Sequence, residues 1–561
     1  MKKPILYLLI SGVLYGQTTK PFNPQEHIAA NVDVYVEIAP LEKINYHVKE
    51  FFFQLLGTET AEAQWKFLQQ MVVSSTGVNF LDLEEMKKYG FDIKKPIGLG
   101  LREPDTNTSK KKEPHFSILF PSNNTDTLYR NILIRSDQKW EEHIAEKEIK
   151  TSLDVHEIEK GKIALIDPGE KTYLGKGEGF IVVANNLELL NKSLVKSEKP
   201  ISNNPGYKKL SANYMAKLRE PGAVISIFLN GKFIRSEAEK TDPVNAENPM
   251  EKFLTVIKQY RAGSNDAYSV VHLTKNGLRY LSTSSVEPGG KKPSPIQNII
   301  QREPYLSRID RTKQAPYIYA KFQYNWMAIF NDLEKLDLPV RPEINKFLHK
   351  MIGPYAVNNI SSDFTTWIHS NISLFISRIP DLSTGKPDKG WQGSISFNFD
   401  TDKRKLIKTY LHKLEKEANH TENVSVVFRN GKNLDEWEFI ETLEGDGNEK
   451  IESDVNKPSK PDVKKTIVSL HSDEFIITFG RKKVLKSVSR PVIKKTGKNI
   501  DYKSIQSFLY IDVAAIIESV KKGKSSFTRM PYWMYIKNIK QFHLYEYLHQ
   551  NYINSLIEIK L

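Results

Sequence analysis

Three short strings contain the residue types of a serine acyl-transfer site: Ser193-Leu-Val-Lys196, Ser211-Ala-Asn213 and Lys495-Thr496-Gly497. Penicillin-binding proteins and serine β-lactamases use such a set, in this order, to supply a nucleophile and the groups that move its proton. The first two strings lie too close together to belong to separate elements around one cleft, and the third lies in a basic loop. The spacing therefore favours coincidence over a catalytic site.

The other residues that could do chemistry form no recognisable motif. The thirteen histidines are scattered, without the spacing of a zinc-binding helix. The absence of cysteine excludes disulfides, iron–sulfur clusters, thiolate zinc sites and cysteine nucleophiles. The string Gly175-Lys-Gly177-Glu-Gly179 leads into a strand pattern, which predicts a hairpin turn instead of a phosphate-binding loop. We predict no catalytic residue, metal site or cofactor, and a glycosidase pair of two distant carboxylates stays open.

Charge is unevenly distributed along this chain, whose formal net charge is +14. Nine acidic residues lie between Asp435 and Asp454, against one basic residue. Nine basic residues lie between Arg481 and Lys503, against one acidic residue. The basic stretch predicts an anion-binding surface, for which the candidate residues are Arg481, Lys482, Lys483, Lys486, Arg490, Lys494, Lys495 and Lys498. The alternative is a pair of solvated surface elements whose charges compensate each other.

The N-terminus predicts export from the cytoplasm. Two lysines precede an uncharged apolar stretch from Pro4 to Gly16, which is the pattern of a secretory signal peptide over residues 1–19. Thirteen residues are fewer than the roughly 20 that a membrane-spanning helix requires. Cleavage near Gly16 or Thr18 is expected, with an uncleaved tether as the alternative. We expect a periplasmic location first and an extracellular or surface location second, with no transmembrane span in the mature chain.

Five segments of the first half reappear in the same order in the second half, which indicates an internal repeat. The pairs are 32–57 with 316–335, 115–134 with 393–414, 179–195 with 474–488, 223–229 with 507–511, and 268–286 with 541–559. This repeat aligns four residues of the first half with four of the second: 117 with 394, 180 with 475, 224 with 508, and 268 with 541. The separations are then 277, 295, 284 and 273, a variation that loop insertions would produce.

These patterns predict an α+β protein of two related halves, each a largely antiparallel sheet with packed helices. Asn276-Gly277 and Asn430-Gly431 each lie between alternating strand patterns and predict β-hairpins. The apolar spacing over Leu41–Leu56 predicts a helix with its core face at Ile44, Val48, Phe51, Phe52 and Leu55. The expected domains are residues 20–290 and 315–561, joined by a linker rich in Pro, Gly and Lys at 291–314.

The order of elements resembles a family of exported bacterial proteins that is catalogued only as a domain of unknown function. The resemblance rests on the exported N-terminus, the Gly-Phe-Asp segment within Leu81–Gly98, and the Asn203–Tyr207 segment before a hydrophobic strand. It covers most of the chain as a pattern, without a signature motif. The resemblance implies no catalytic residue.

Together these features favour a non-catalytic envelope protein with a binding or scaffolding role. The expected partner is an anionic envelope component, either a lipid headgroup or a glycan, or another envelope protein, and nucleic acid is not expected. Two alternatives remain: a cell-wall or polysaccharide hydrolase of unrecognised type, and an accessory subunit of an export or surface-assembly complex.

Overall fold

A computed structural model describes most of the chain between residues 22 and 561. The described residues are 22–76, 79, 81–103, 114–134, 136, 156–159, 161–167, 171–218, 220, 222–239, 266–286, 305, 307–311, 316–334, 341–342, 345, 366–378, 392–431, 434–443, 462–480, 505–522, 533–549 and 552–561. The predicted signal peptide lies outside them. Within these ranges, no helix is both long enough and apolar enough to cross a membrane.

The chain divides into two compact units. The first comprises Met1–Lys240, Ser264–Glu287 and Lys560–Leu561, and the second comprises Thr241–Gly263 and Pro288–Ile559.

The described part of the first unit forms ten strands. They are β1 (Val34–Ile38), β2 (Ile97–Arg102), β3 (His115–Pro121), β4 (His156–Glu159), β5 (Ile163–Asp167), β6 (Thr172–Lys176), β7 (Phe180–Ala184), β8 (Ala223–Leu229), β9 (Ala267–Thr274) and β10 (Gly277–Ser285). Their order across the sheet is β4-β5-β6-β7-β3-β2-β1-β8-β9-β10, and every neighbouring pair is antiparallel.

Helices pack on both faces of this sheet. They are α1 (Leu41–Leu56), α2 (Thr58–Thr76), α3 (Leu83–Lys88), α4 (residues 125–134), α5 (Leu187–Leu194), α6 (Pro205–Leu218) and α7 (Gly231–Glu239). On one face, Met86 of α3 and Leu128 of α4 join a core built on β2, β3 and β7. On the other face, Leu190 and Leu194 of α5 lie so close to Gly175 that a Cβ there would be 3.0–3.1 Å from their side chains.

The described part of the second unit also contains ten strands. They are β11 (Ile318–Gln323), β12 (Asn371–Arg378), β13 (Gln392–Asn398), β14 (Val424–Asn430), β15 (Asp435–Leu443), β16 (Asp462–Leu470), β17 (Glu474–Phe479), β18 (Ile505–Asp512), β19 (Gln541–His549) and β20 (Tyr552–Lys560). Their order is β14-β15-β16-β17-β13-β12-β11-β18-β19-β20, with antiparallel pairing from β14 to β19.

Among the described residues of the second unit, helices include α8 (Trp326–Glu334), α9 (Arg404–Ala418), α10 (Val513–Lys522) and α11 (Trp533–Ile536). The amphipathic helix α9 buries Ile407, Tyr410, Leu411 and Leu414. The opposite face of the sheet carries a second core, in which Tyr319, Phe375 and Phe508 pack with Ile309 from the segment before β11.

The two strand orders correspond when ten is added to each strand number of the first unit. If Tyr35 is aligned with Tyr319, the hydrogen-bond registers align Ser117 with Ser394, as the sequence predicts. The same registers align Phe180 with Glu474, one residue away from the predicted partner. A one-residue shift moves every side chain of a strand to the other face. The predicted pairs in β8 and β9 shift by two residues, so their faces are unchanged.

The structure confirms the α+β class, the mostly antiparallel sheets and the local elements. Helix α1 has the predicted bounds and ends at Gly57, whose φ of +82° favours glycine. The predicted hairpin joins β9 to β10 through Lys275 and Asn276, with Gly277 as the first residue of β10, and Gly177 to Gly179 form the turn between β6 and β7. The predicted core face of α1 is only half-buried, because the helix buries His47 and Leu56 instead.

Candidate functional site

The first unit contains a cleft of about 970 Å³. Four walls form it: the segment 27–32, the end of β2 at Arg102 and Glu103, the start of β3, and residues 186–199 around α5. Among the described residues that line the cleft, none is Trp, Tyr or Phe. The described lining therefore offers charged, amide and aliphatic groups to a ligand.

The cleft wall that precedes β1 is the N-terminal strap, defined as residues 22–32. Main-chain hydrogen bonds join it to the segment after α5: Ser197 N–H donates to Glu26 O at 2.8 Å, and Ala30 N–H donates to Lys199 O at 2.7 Å. Two glycines of β2 allow the strap to lie against the sheet, since a Cβ on Gly98 would be 2.4 Å from the Pro24 side chain. These main-chain bonds tie the strap to the segment after α5, so two walls of the cleft are joined directly.

Two basic side chains lie together at the floor of the cleft. Arg102 is the last residue of β2 and His115 is the first residue of β3, and they are directly opposed in the antiparallel register. Directly opposed residues project from the same face of a sheet, with Cβ atoms about 4.5–5.5 Å apart. Both residues are half-buried and line the cleft. The strand pairing thus brings a guanidinium and an imidazole to one place.

Acidic groups border this floor. Glu188 of α5 is exposed and pairs with Lys192 at 2.5 Å. Lys192, followed by the charges of Arg102 and His115, holds the pKa of the Glu188 carboxyl below its ordinary value. Glu103 accepts a hydrogen bond from Ser236 at 2.9 Å. Burial lowers the pKa of His27, which lies in the strap wall. The field around Glu188 is therefore positive.

The second unit has a buried polar cluster at the corresponding strap, defined as residues 305 and 307–311. The Glu474 side chain is 0% exposed and accepts hydrogen bonds from the Ser307 hydroxyl and from Arg308. The Arg308 main-chain N–H lies 3.1 Å from Oε2, and the Arg308 guanidinium lies 2.8 Å from the same oxygen. Burial raises the pKa of Glu474, and the bonds from Ser307 and Arg308 act in the opposite direction. These residues were predicted as part of the linker, but Ile309 is fully buried on the sheet.

The acidic segment that begins at Asp435 is partly buried. Asp435 is 1% exposed and accepts from Arg404 at 2.6 Å and from Lys408 at 3.0 Å. Glu438 likewise pairs with Arg429 and Lys465. The interpretation of this segment as a solvated element is therefore wrong for its first residues, because α9 and the neighbouring strands supply its cations. The rest of the segment, beyond Leu443, lies outside the described residues.

None of the predicted anion-binding residues belongs to the described part of the chain. They are Arg481, Lys482, Lys483, Lys486, Arg490, Lys494, Lys495 and Lys498. The Lys495-Thr496-Gly497 string lies outside it as well. Ser193 and Lys196 both line the cleft, but Ser193 is buried and Lys196 pairs with Glu26. Within the described ranges, no cluster of His, Asp or Glu has the arrangement of a metal site.

Sequence reasoning missed both the cleft floor and the Glu474 cluster. Arg102 and His115 are twelve residues apart in the sequence, not counting themselves, and neither belongs to a motif. The available signal was the strand pairing, since the ends of two adjacent strands meet in an antiparallel hairpin. Glu474 is the first residue of the apolar strand β17. A carboxylate that is buried there needs a cation, and that cation comes from a distant part of the chain. Arg308 lies 166 residues away, so no local pattern connects them.

Comparisons with known proteins identify no relative for this chain. No family model matches it, and no curated protein matches it. Among solved structures, crystal forms I and IV of TP0453 are similar at 9% and 8% sequence identity. The similarity covers 49% and 48% of this chain and 84% and 82% of that chain, with TM-scores of 0.22 and 0.23.

Proposed function

We propose that the protein is an exported, non-catalytic binding protein of the bacterial envelope, and that the cleft of the first unit is its binding element. The observation that carries this proposal is the cleft itself, whose walls are joined by main-chain hydrogen bonds and whose floor presents fixed charges. Concave sites with a few convergent polar groups are where proteins most often bind small ligands. The signal-peptide pattern and the net charge of +14 support an envelope location.

The hydrolase alternative receives less support from the cleft. A glycosidase acid needs a carboxyl group that stays protonated near neutral pH, which requires a raised pKa. The pKa of Glu188 is instead lowered by Lys192. A carboxylate that stays ionised suits electrostatic recognition better than proton donation.

The binding proposal is tested by a thermal-shift screen of the full chain against envelope glycans and phospholipid headgroups. Asn31 is exposed at the cleft rim, so Asn31→Trp narrows the cleft with little effect on folding. Asn123→Trp places the same ring at an exposed position outside the cleft lining. We expect a stabilising ligand whose effect is lost in Asn31→Trp and kept in Asn123→Trp. A ligand that stabilises both variants equally would overturn the assignment of the cleft.

The export proposal has a separate test. A form lacking residues 1 to about 16 is expected outside the cytoplasm, because the leader has the charge and apolar length that the secretion machinery recognises. Cell fractionation followed by N-terminal sequencing would detect it. Full-length protein recovered only from the cytosol would contradict export.

We also propose that the basic stretch Arg481–Lys503 holds the protein to an anionic envelope component. Its nine positive charges favour such a surface at low salt, and the attraction weakens as the Debye length shortens toward about 8 Å. Replacing Lys482, Lys483, Lys494 and Lys495 by Gln should weaken co-sedimentation with envelope fractions and flatten its salt dependence. Binding that is insensitive to salt and to these changes would exclude the stretch as the contact.

A third proposal concerns origin: the two units are related by duplication and are joined by a linker shorter than the predicted 291–314. The shared strand order and the alignment of Ser117 with Ser394 support it. The burial of Ile309 supports a linker that ends before residue 305. An experimental structure in which β1 and β11 occupy different sheet positions would refute the duplication.

A further inference from the structure

We infer that the cleft of the first unit recognises an anionic group, a phosphate or a carboxylate, through Arg102 and His115. This inference rests on the proposed binding role of the cleft and adds the class of ligand. Its first support is geometric, because the two side chains start from opposed positions of β2 and β3 and both reach the cleft. A guanidinium presents paired N–H donors that match phosphate and carboxylate oxygens, and an imidazole adds one more donor.

The second support is the charge around Glu188 of α5. Its pKa is lowered first by Lys192 and then by Arg102 and His115, so a negative group is favoured at this point of the cleft. Glu188 is largely exposed, and its own partner Lys192 is exposed as well. An exposed carboxylate moves aside at little cost, because solvent screens its pair with Lys192. A ligand anion can therefore replace the Glu188 carboxylate as the negative group that interacts with Arg102.

The third support is what the described lining lacks. Neutral saccharides are commonly held by stacking on aromatic rings, and none of the described lining residues is aromatic in that sense. The walls supply instead Asn31, Ser117 and Asn186 as polar side chains. Of these, Asn186 Oδ1 already accepts from Leu189 N–H at 3.0 Å as the cap of α5. Charge therefore dominates recognition in this cleft.

Isothermal titration of the full chain with three probes tests the inference. The probes are glycerol 1-phosphate, galacturonate and neutral galactose, of which the first represents a lipid headgroup and the second an acidic glycan. We expect one or both anions to bind at least about tenfold more tightly than galactose, because a charge-assisted hydrogen bond is stronger than a neutral one. Preference between the two anions identifies the source of the group.

Two variants assign the effect to the floor. Arg102→Gln should lower the affinity for the anion by about tenfold or more. Arg130→Gln, at an exposed position on α4, should leave that affinity unchanged.

The outcomes separate the two levels of the argument. If galacturonate and galactose bind equally and Arg102→Gln has no effect, the anion inference is overturned and the cleft stands as a binding site. If no probe binds and no envelope component stabilises the chain in the thermal-shift screen, the proposed function fails with it. Anion binding that persists unchanged in Arg102→Gln would also overturn the inference, because it would place the anion on another surface.

Discussion

The N-terminal strap and the second strap lie on equivalent strands of their two sheets. Different side chains hold them there. In the first unit, Phe180 stacks on Phe22 with ring centroids 4.9 Å apart and contacts His27 at 4.4 Å. In the second unit, the aligned residue is Glu474, which binds Ser307 and Arg308. An aromatic contact in one unit and a buried carboxylate bonded to an exposed arginine in the other thus occupy equivalent positions. The sheet topology does not dictate which of the two is used.

The central strands repeat this difference. Glu37 of β1 accepts hydrogen bonds from Tyr35 at 2.7 Å and from Gln25 of the N-terminal strap at 2.8 Å. The aligned residue of β11 is Lys321, which is 1% exposed and donates to Tyr305 O of the second strap at 2.6 Å. The sheet accepts a hydrogen bond from the strap in one unit and donates one in the other. What is shared is therefore a polar tie between the strap and the first strand, whatever its direction.

The comparison also shows why the straps should differ in strength. The N-terminal strap is held by several main-chain bonds and apolar contacts, which are individually replaceable. In the second strap, Lys321 and Gln323 bond to Tyr305, whereas the Ser307–Arg308 segment depends on one carboxylate that accepts several hydrogen bonds. Removing that carboxylate leaves several donors without their acceptor at once, which costs more than losing one packing contact.

The largest effect is expected for Glu474→Ala. Loss of the carboxylate leaves the Arg308 main-chain N–H and the buried Ser307 hydroxyl without this acceptor, and should lower the free energy of opening in the second unit by about 2–3 kcal/mol. Hydrogen exchange at the amides of β11 and β13 measures this change locally. Glu474→Gln, which keeps one acceptor oxygen, should lose less. A loss below about 1 kcal/mol in both variants would show that the carboxylate does not hold the strap.

A smaller effect is expected for Phe180→Leu in the first unit. The substitution keeps an apolar side chain but removes the stacking on Phe22 and His27, so stability should fall by about 1–2 kcal/mol. Hydrogen exchange at the amides of β3 and β7 is the readout. Phe116 lies on the opposite face of the same sheet, and Phe116→Leu is the matched control for loss of a ring in the core. If Phe180→Leu and Phe116→Leu change hydrogen exchange in the strap equally, the stacking has no specific role.

Local elements of this fold could be predicted from sequence, and distant contacts could not. Helix α1 and the Asn276-Gly277 hairpin depend on residues a few positions apart, so periodicity and turn chemistry were sufficient. The alignment of β7 with β17 failed by one residue, because Phe180 matches Phe475 in type but Glu474 in hydrogen-bond register. A pattern of residue types does not contain the register of a long-range pair.

The charged residues illustrate the same limit. Asp435 belongs to a strongly acidic run, which is typical of a solvated surface, yet it is buried between Arg404 and Lys408. The cations come from α9, about 30 residues earlier in the chain, as the 31- and 27-residue separations show. The cleft floor likewise depends on which strand ends become neighbours. Composition predicted the sign of the charge, and the fold determined where it is neutralised.

A modest pH effect is expected in the second unit. Burial and the nearby Arg308 charge lower the pKa of His471 in the second unit to about 4, against about 6.5 in an unfolded chain. The unfolded state then binds more protons between these values, so this histidine destabilises the second unit as pH falls from 6.5 toward 4. The raised pKa of Glu474 acts in the opposite direction.

Comparing the unchanged chain with His471→Gln separates the effect of the histidine on stability from that of Glu474. The variant should lose less stability on acidification, by roughly 1 kcal/mol after allowance for solvent screening, since His471 is only partly buried. Denaturant unfolding followed across this pH range measures the difference. Parallel pH curves for the two proteins would show that His471 does not titrate as its surroundings indicate.

The smallest effect is expected for Lys196→Gln, which removes the ion pair between Lys196 and Glu26 at the N-terminal strap. The two side chains are 72% and 40% exposed, and an exposed pair contributes about 0–1 kcal/mol. Strap protection should stay nearly unchanged, because the adjacent bond from Ser197 N–H to Glu26 O is made by the main chain. Lys192→Gln, which removes the similarly exposed pair with Glu188, is the matched control away from the strap. Hydrogen exchange at the Ala30 and Ser197 amides, read at low and high salt, is the measurement. If Lys196→Gln alone opened the strap by more than about 2 kcal/mol, charge would hold the strap of the first unit as well, and the contrast with Glu474 would no longer stand.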